Sequence, residues 1–111
     1  MPRVFIPQCP SRYDPVVGVW TPSVNLRPAE KFGELKIMFR PGSYDLALAP
    51  VIAAMKEQMD DFSPEDYIVA VGDPSLLAAA AAIASRKTGG LVRILKWDRM
   101  ASTYVLTEFN V

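Results

Sequence analysis

The segment at residues 66–98 constrains the fold of this chain most, because it has the pattern of a complete strand, helix and strand unit. An apolar run at residues 67–71 ends just before Asp73, and a second run follows at residues 91–97. Asp73 is a good helix-capping residue, and Pro74 suits the first helical position. Two strands joined by a helix predict a parallel pair, so we expect an α/β protein.

The composition indicates one ordinary globular domain. The chain has 111 residues, half of them apolar, and a formal net charge of zero. No apolar run approaches the roughly 18 residues that a bilayer-spanning helix needs, and prolines interrupt the N-terminus where a secretory signal would be apolar. We therefore expect a cytoplasmic protein.

The residues available for catalysis are few. The chain has no histidine and a single cysteine, Cys9. Serine and cysteine triads and the usual zinc sites depend on imidazole, and one cysteine cannot form a disulfide within the chain. We predict no cofactor and no catalytic residue, although an enzyme using carboxylates, lysine or a bound metal stays open.

Three parallel strands and a final antiparallel strand are predicted over residues 35–111, which we take as a βαβαββ core. The strand at residues 35–39 precedes a helix over about residues 50–60, and residues 103–109 alternate as an edge strand. Residues 68–71 contain no polar side chain, which is typical of a strand buried on both faces. This segment is therefore predicted at the centre of the sheet.

Residues 1–34 are predicted to form a proline-rich arm that packs on the core and belongs to the same structural domain. Six of the ten prolines lie within residues 1–28, and each disfavours helix at the residue before it. One short strand is expected at residues 3–6. The many apolar side chains of the arm indicate that it packs on something.

The predicted topology leaves one face of the sheet without helices. If residues 67–71 lie between the other two parallel strands, right-handed crossovers put both helices on the same face. The opposite face must then be covered by the arm, through Tyr13 and Trp20, or by another subunit. We expect self-association, with Tyr13, Trp20 and Phe39 as interface candidates. If the strand at residues 35–39 is central instead, the helices cover both faces and this expectation fails.

The carboxyl ends of the parallel strands carry the candidate ligand-binding residues, because ligands bind at that edge of α/β sheets. These residues are Arg40, Asp73, Ser75, Trp97, Asp98 and Arg99. Asp73 and Asp98 could share a magnesium ion, but a helix cap and a turn residue are the stronger interpretation. The turn after residue 71 does not fit a phosphate cradle, since it has one glycine, an acidic cap and a proline.

A group of basic residues near the C-terminus allows a third function, single-stranded nucleic-acid binding. Bases next to Trp97 could combine charge with stacking, but a net charge of zero favours ordinary surface charges. Arg93 shares a strand face with Leu91 and Leu95, so it should lie at the sheet margin or pair with a carboxylate. The bases concerned are Arg86, Lys87, Arg93, Lys96 and Arg99.

Three segments resemble the small uncharacterised accessory proteins encoded by many tailed bacteriophages. They are VFIPQ at residues 4–8, DYIVAVGDP at residues 66–74 and LKWDR at residues 95–99. The resemblance covers most of the chain and implies a phage accessory protein made in the host cytoplasm. Its motifs are not catalytic, so no functional residue is carried over.

Together these observations favour a non-enzymatic interaction protein that self-associates and binds a host or phage protein. The first alternative is a small-ligand or nucleotide-binding protein, metal-dependent or not, that uses the carboxyl end of the sheet. The second is a single-stranded nucleic-acid binder.

Overall fold

The structure is a computed structural model that describes residues 1–40 and 48–111. Seven strands, two α-helices and one 3-10 helix form in these residues. In chain order they are β1 (Arg3–Gln8), β2 (Ser11–Asp14), β3 (Val19–Pro22), the 3-10 helix (Arg27–Phe32), β4 (Glu34–Phe39), α1 (Leu48–Gln58), β5 (Tyr67–Val69), α2 (Pro74–Thr88), β6 (Leu91–Asp98) and β7 (Thr103–Asn110).

The main sheet has five strands in the order β4-β1-β5-β6-β7. The first four are parallel and β7 is antiparallel, so the parallel set has one strand more than the three predicted. The additional strand is β1, whose Ile6 pairs with Ile37 of β4 and whose Phe5 pairs with Ile68 of β5. β5 is the middle strand, as predicted, but its neighbours are β1 and β6.

The burial of β1 explains why it lies inside the sheet rather than on the arm. Val4, Phe5 and Ile6 are almost completely buried, so side chains on both faces of the strand contribute to the core. Pro7 cannot donate a ladder hydrogen bond, and prolines in sheets are usually confined to edge strands or strand ends. However, the ladder between β1 and β5 ends at Phe5, before the missing N–H of Pro7 is reached.

Both α-helices pack on one face of the sheet, where right-handed crossovers place them. Met55 of α1 and Leu76 of α2 belong to the same buried cluster as Phe5 and Ile68. Each of these side chains is at most 1% exposed, so burial of this face accounts for much of the hydrophobic stabilisation.

The opposite face is covered by residues that follow the β2–β3 hairpin. Leu26 and Ala29 are buried against Val4, Val69 and Leu95. The connection from β1 to β4 moves across the sheet in the opposite direction to the two connections that contain α1 and α2. A right-handed crossover therefore carries it over the opposite face.

The β2–β3 hairpin does not provide that cover. Tyr13 and Trp20 pair across it with ring centroids 5.3 Å apart, yet they are 48% and 47% exposed. Val16 and Val17 at its turn are also exposed. The two aromatic residues expected to cover the sheet therefore lie on an exposed apolar hairpin.

A buried carboxylate joins the amino ends of β1 and β5. Asp66 is 2% exposed, and its Oδ1 accepts a hydrogen bond from the backbone N–H of Arg3 at 2.8 Å. Its Oδ2 accepts from Arg3 Nη2 at 3.0 Å and from the backbone N–H of Ser63 at 2.9 Å. Arg3 also donates to exposed Asp61, and that hydrogen bond lowers the pKa of the Asp61 carboxyl. We refer to Arg3, Asp61 and Asp66 as the amino-end clamp.

A candidate pocket at the carboxyl end of the sheet

The strand order creates a switch point between β1 and β5. The chain leaves β1 toward the face covered by the 3-10 helix, and it leaves β5 toward α2 on the helical face. In doubly wound sheets, ligands bind at the carboxyl ends of the strands beside such a point. This edge of the sheet is therefore the place to look for a site.

The gap at the switch point itself is closed by Gln8. Its Oε1 accepts a hydrogen bond from the backbone N–H of Asp73 at 2.8 Å. Gly72 has a φ of +89°, and a Cβ at this position would lie 2.5 Å from the carbonyl oxygen of Gln8. The end of β1 and the loop after β5 are in direct contact, so no ligand fits between them.

A pocket of about 310 Å³ lies next to this contact, on the face without α-helices. Val71 and Trp97 form its wall at the ends of the strands, and Tyr104 of β7 closes one side. The segment that leads from the hairpin to the 3-10 helix forms the other side. The lining residues are Ser23, Val24, Asn25, Val71, Trp97 and Tyr104.

Two aromatic rings organise the pocket. The Trp97 and Tyr104 rings meet edge to face, with centroids 5.1 Å apart and an interplanar angle of 71°. The Tyr104 hydroxyl donates to the backbone carbonyl of Asn25 at 2.8 Å. Burial raises the pKa of Tyr104, and the neighbouring Cys9 thiol adds to that increase, so the phenol stays neutral at physiological pH. Trp97 remains partly exposed.

The two predicted aspartates are engaged in local structure. Asp73 is the N-cap of α2, and its side chain accepts from the backbone N–H of Ser75 at 2.7 Å. Asp98 Oδ1 accepts from the backbone N–H groups of Met100 and Ala101 at 2.9 and 3.3 Å. These contacts match the cap and turn interpretation. Over residues 1–40 and 48–111, no three acidic, cysteine or histidine side chains group closely enough to hold a metal ion.

The other predicted site residues do not line the pocket. Ser75 and Arg99 are exposed, and Arg40 is exposed just after β4. Phe39, an interface candidate, packs against the buried cluster under the α-helices. Of the six predicted ligand-binding residues, Trp97 is the one that the pocket contains.

A family model supports the resemblance seen in the sequence. The model for the Phage Pam3 gp32-like protein family matches residues 2–111. The chain belongs to this family. Comparison with curated proteins and with solved structures gives no match. This phage protein has, within its described residues, no helix long and apolar enough to cross a membrane.

The predicted basic surface is divided between different parts of the phage protein. Arg93 Nε lies 3.1 Å from the carboxylate of Glu108, and its guanidinium lies over the Tyr67 ring. Lys87 lies 3.5 Å from Asp60, and Lys96 is on the opposite strand face from Arg93. Arg93 therefore pairs with a carboxylate, as expected from its position, and these bases do not form one continuous patch.

Sequence reasoning missed most of the pocket because it placed β1 outside the sheet. Once β1 is between β4 and β5, the segment after it must pass over the carboxyl edge, which brings Ser23 and Asn25 beside Trp97. Tyr104 had a usable signal, because it lies in the alternating edge strand opposite Trp97.

Replacement of Asp73 by alanine tests the capping role directly. The variant should lose about 1 kcal/mol of unfolding free energy, because the Ser75 N–H at the start of α2 loses its acceptor. Urea denaturation followed by circular dichroism measures this loss. Ser75→Ala is the matched control, since it keeps the backbone N–H and should change stability by less than about 0.5 kcal/mol. Equal effects of the two substitutions would contradict the assignment.

Proposed function

We propose that this phage protein is an interaction protein that self-associates by pairing the edge strand β7 of one copy with β7 of another. The observation that carries the proposal is that β7 lacks the features by which proteins protect an exposed sheet edge.

β7 is a long and regular edge strand. All eight of its residues pair with β6, from Thr103 opposite Asp98 to Asn110 opposite Leu91, so no bulge interrupts it. Its sequence TYVLTEFN contains no proline, lysine or arginine. Short length, bulges, prolines and lysines are the usual devices against edge pairing. The one charge, Glu108, is held by Arg93 of the same sheet.

The other edge strand of the sheet, β4, provides an internal comparison. It is shorter, with six residues, and carries Glu34 and Lys36, whose charged groups lie 3.8 Å apart on the surface. These charges oppose pairing with another strand. Over residues 1–40 and 48–111, the chain therefore places a lysine on one edge strand, β4, and none on the other, β7. Lys31 of the 3-10 helix reaches only the first residue of β7, where its Nζ lies 3.2 Å from Thr103 Oγ1.

The free side of β7 has groups suited to strand pairing. Val111 N–H donates to the Gly90 carbonyl at 3.0 Å, and hydrogen-bonded pairs alternate along an antiparallel ladder. The N–H and C=O groups of residues 104, 106, 108 and 110 therefore point away from β6. Val105, Leu106 and Phe109 are 39%, 41% and 43% exposed, so apolar side chains are available on both faces of the strand.

A second copy of the chain is the occupant that these features favour. Two β7 strands related by a two-fold axis pair antiparallel and offer the same surface to each other. With the axis at Leu106, each Glu108 lies opposite Tyr104 of the other copy rather than opposite the like charge. The contact area of one strand pair is small, so we expect a dimer that depends on protein concentration.

Leu106→Lys should weaken this dimer by at least about tenfold, because lysine on an edge strand opposes pairing. Sedimentation equilibrium over a concentration series measures the dissociation constant. Val17→Lys in the exposed hairpin is the matched control, since it adds the same charge at another apolar surface and should leave the constant unchanged. Circular dichroism verifies that both variants fold.

Two results would contradict the proposal. One is a wild-type protein that stays monomeric at millimolar concentration. The other is a dimer that the hairpin substitution disrupts and the β7 substitution does not, which would assign self-association to the hairpin.

A further inference from the structure

We propose that the pocket at the carboxyl end of the sheet binds an uncharged planar heteroaromatic ring, of the nucleobase type, stacked against Trp97. This site is separate from the β7 edge, so either proposal can fail without the other.

The lining of the pocket favours an uncharged ligand. None of the six lining residues is a lysine, arginine, aspartate or glutamate. Tyr104, the one ionisable side chain among them, is neutral, and its hydroxyl donates a hydrogen bond to the Asn25 carbonyl. An anionic or cationic group would lose water on entering and gain no opposite charge in return.

The shape and the aromatic wall favour a flat ring. A volume of about 310 Å³ is at the lower end for small-molecule pockets, which suits one ring system rather than an extended ligand. Tyr104 contacts Trp97 edge to face and so holds the indole in place, while the indole remains 40% exposed. Stacking on an aromatic side chain discriminates little between different bases, since every base has a π face.

Two polar groups at the rim can recognise the edge of such a ring. Within the described residues, Ser23 Oγ and Asn25 Nδ2 make no hydrogen bond, although Asn25 Oδ1 accepts from the backbone N–H of Arg27. A hydroxyl and an amide N–H₂ fit the ring nitrogens and carbonyls of a heteroaromatic edge. These groups favour a heteroaromatic ring over a purely hydrocarbon one.

The two tryptophans of the chain allow a controlled binding experiment. Trp20 and Trp97 are the only tryptophans and are similarly exposed, at 47% and 40%. Collisional quenching should therefore affect both alike. Trp20→Phe leaves Trp97 as the sole reporter, and Trp97→Phe leaves Trp20. Each protein is titrated with adenosine, with adenosine monophosphate and with N-acetylphenylalaninamide.

Adenosine should quench the Trp20→Phe protein along a saturable curve and the Trp97→Phe protein only linearly. Adenosine monophosphate should bind no tighter than adenosine, because no cation lines the pocket. In the Trp20→Phe background, Asn25→Ala should weaken adenosine binding about fivefold by removing one hydrogen-bonding group. This variant keeps the Tyr104 contact, which uses the backbone of Asn25, but it removes the acceptor of the Arg27 N–H. Ser23→Ala is therefore made as well, because the Ser23 hydroxyl bonds no other described residue, and it should weaken adenosine binding in the same direction.

Three results would overturn the proposal. Equal or unsaturable quenching of both tryptophans would show collisions only. Markedly tighter binding of adenosine monophosphate would show recognition of charge. Saturation by N-acetylphenylalaninamide in preference to adenosine would identify the pocket as a site for an aromatic side chain of a protein.

Discussion

Asp66→Asn is expected to lower the free energy of unfolding by about 3 kcal/mol, because the carboxylate is a buried acceptor for several donors. The backbone N–H groups of Arg3 and Ser63 and the Arg3 guanidinium all point at its two oxygens. An asparagine of the same size must direct its N–H₂ group at some of these donors. The variant therefore loses acceptors and leaves buried donors unsatisfied.

Urea denaturation gives this loss as a lower midpoint with an unchanged slope. Asp61→Asn is the matched control, since Asp61 bonds the same Arg3 guanidinium at 2.8 Å but is exposed to solvent. Its effect should be small, because exposed ion pairs contribute little to stability. A small effect of Asp66→Asn would show that the backbone contacts of Asp66 do not hold the clamp. A large effect of Asp61→Asn would show that the exposed ion pair holds it instead.

The amino-end clamp illustrates which parts of the fold the sequence could not reveal. Arg3 and Asp66 are separated by 63 positions in the chain, and no local pattern relates them. Their contact exists because β1 and β5 begin side by side in the sheet. The contact thus depends on the same strand insertion that the sequence analysis missed.

The elements with strong local signals were predictable. The cap at Asp73 and the proline at position 74 begin α2 as expected, and Gly89 ends the helix in a left-handed conformation. The antiparallel strand β7 and the central place of β5 followed from alternation and from a wholly apolar run. Local hydrogen bonding and periodicity determine these features, so the sequence records them directly.

The pocket was only partly predictable for a related reason. Trp97 lies near the carboxyl end of β6, and the rule that ligands bind at the carboxyl ends of parallel strands was enough to select it. Ser23 and Asn25 lie in a segment without regular structure, and only the path from β1 to β4 brings them there. Residues that such a crossover contributes to a pocket can be predicted only when the strand order is known.

Gly72→Ala is expected to lower the free energy of unfolding by about 3 kcal/mol, which combines backbone strain at positive φ with overpacking. The φ of Gly72 is +89°, and a Cβ there would lie 2.5 Å from the carbonyl oxygen and 2.7 Å from the Cβ of Gln8. Neither atom can move without shifting β1.

Gly89→Ala is the matched control for the steric part of this effect. Gly89 also has a positive φ, +74°, but a Cβ there would meet nothing within 4 Å. It should cost about 1 kcal/mol, from conformational strain alone. Urea denaturation measures the loss of unfolding free energy in both variants. The difference between the two losses is the cost of the steric contact between position 72 and Gln8 at the end of β1. Equal losses of unfolding free energy would mean that Gln8 moves away from the new methyl group at little cost. The gap at the switch point could then open toward the pocket beside Val71.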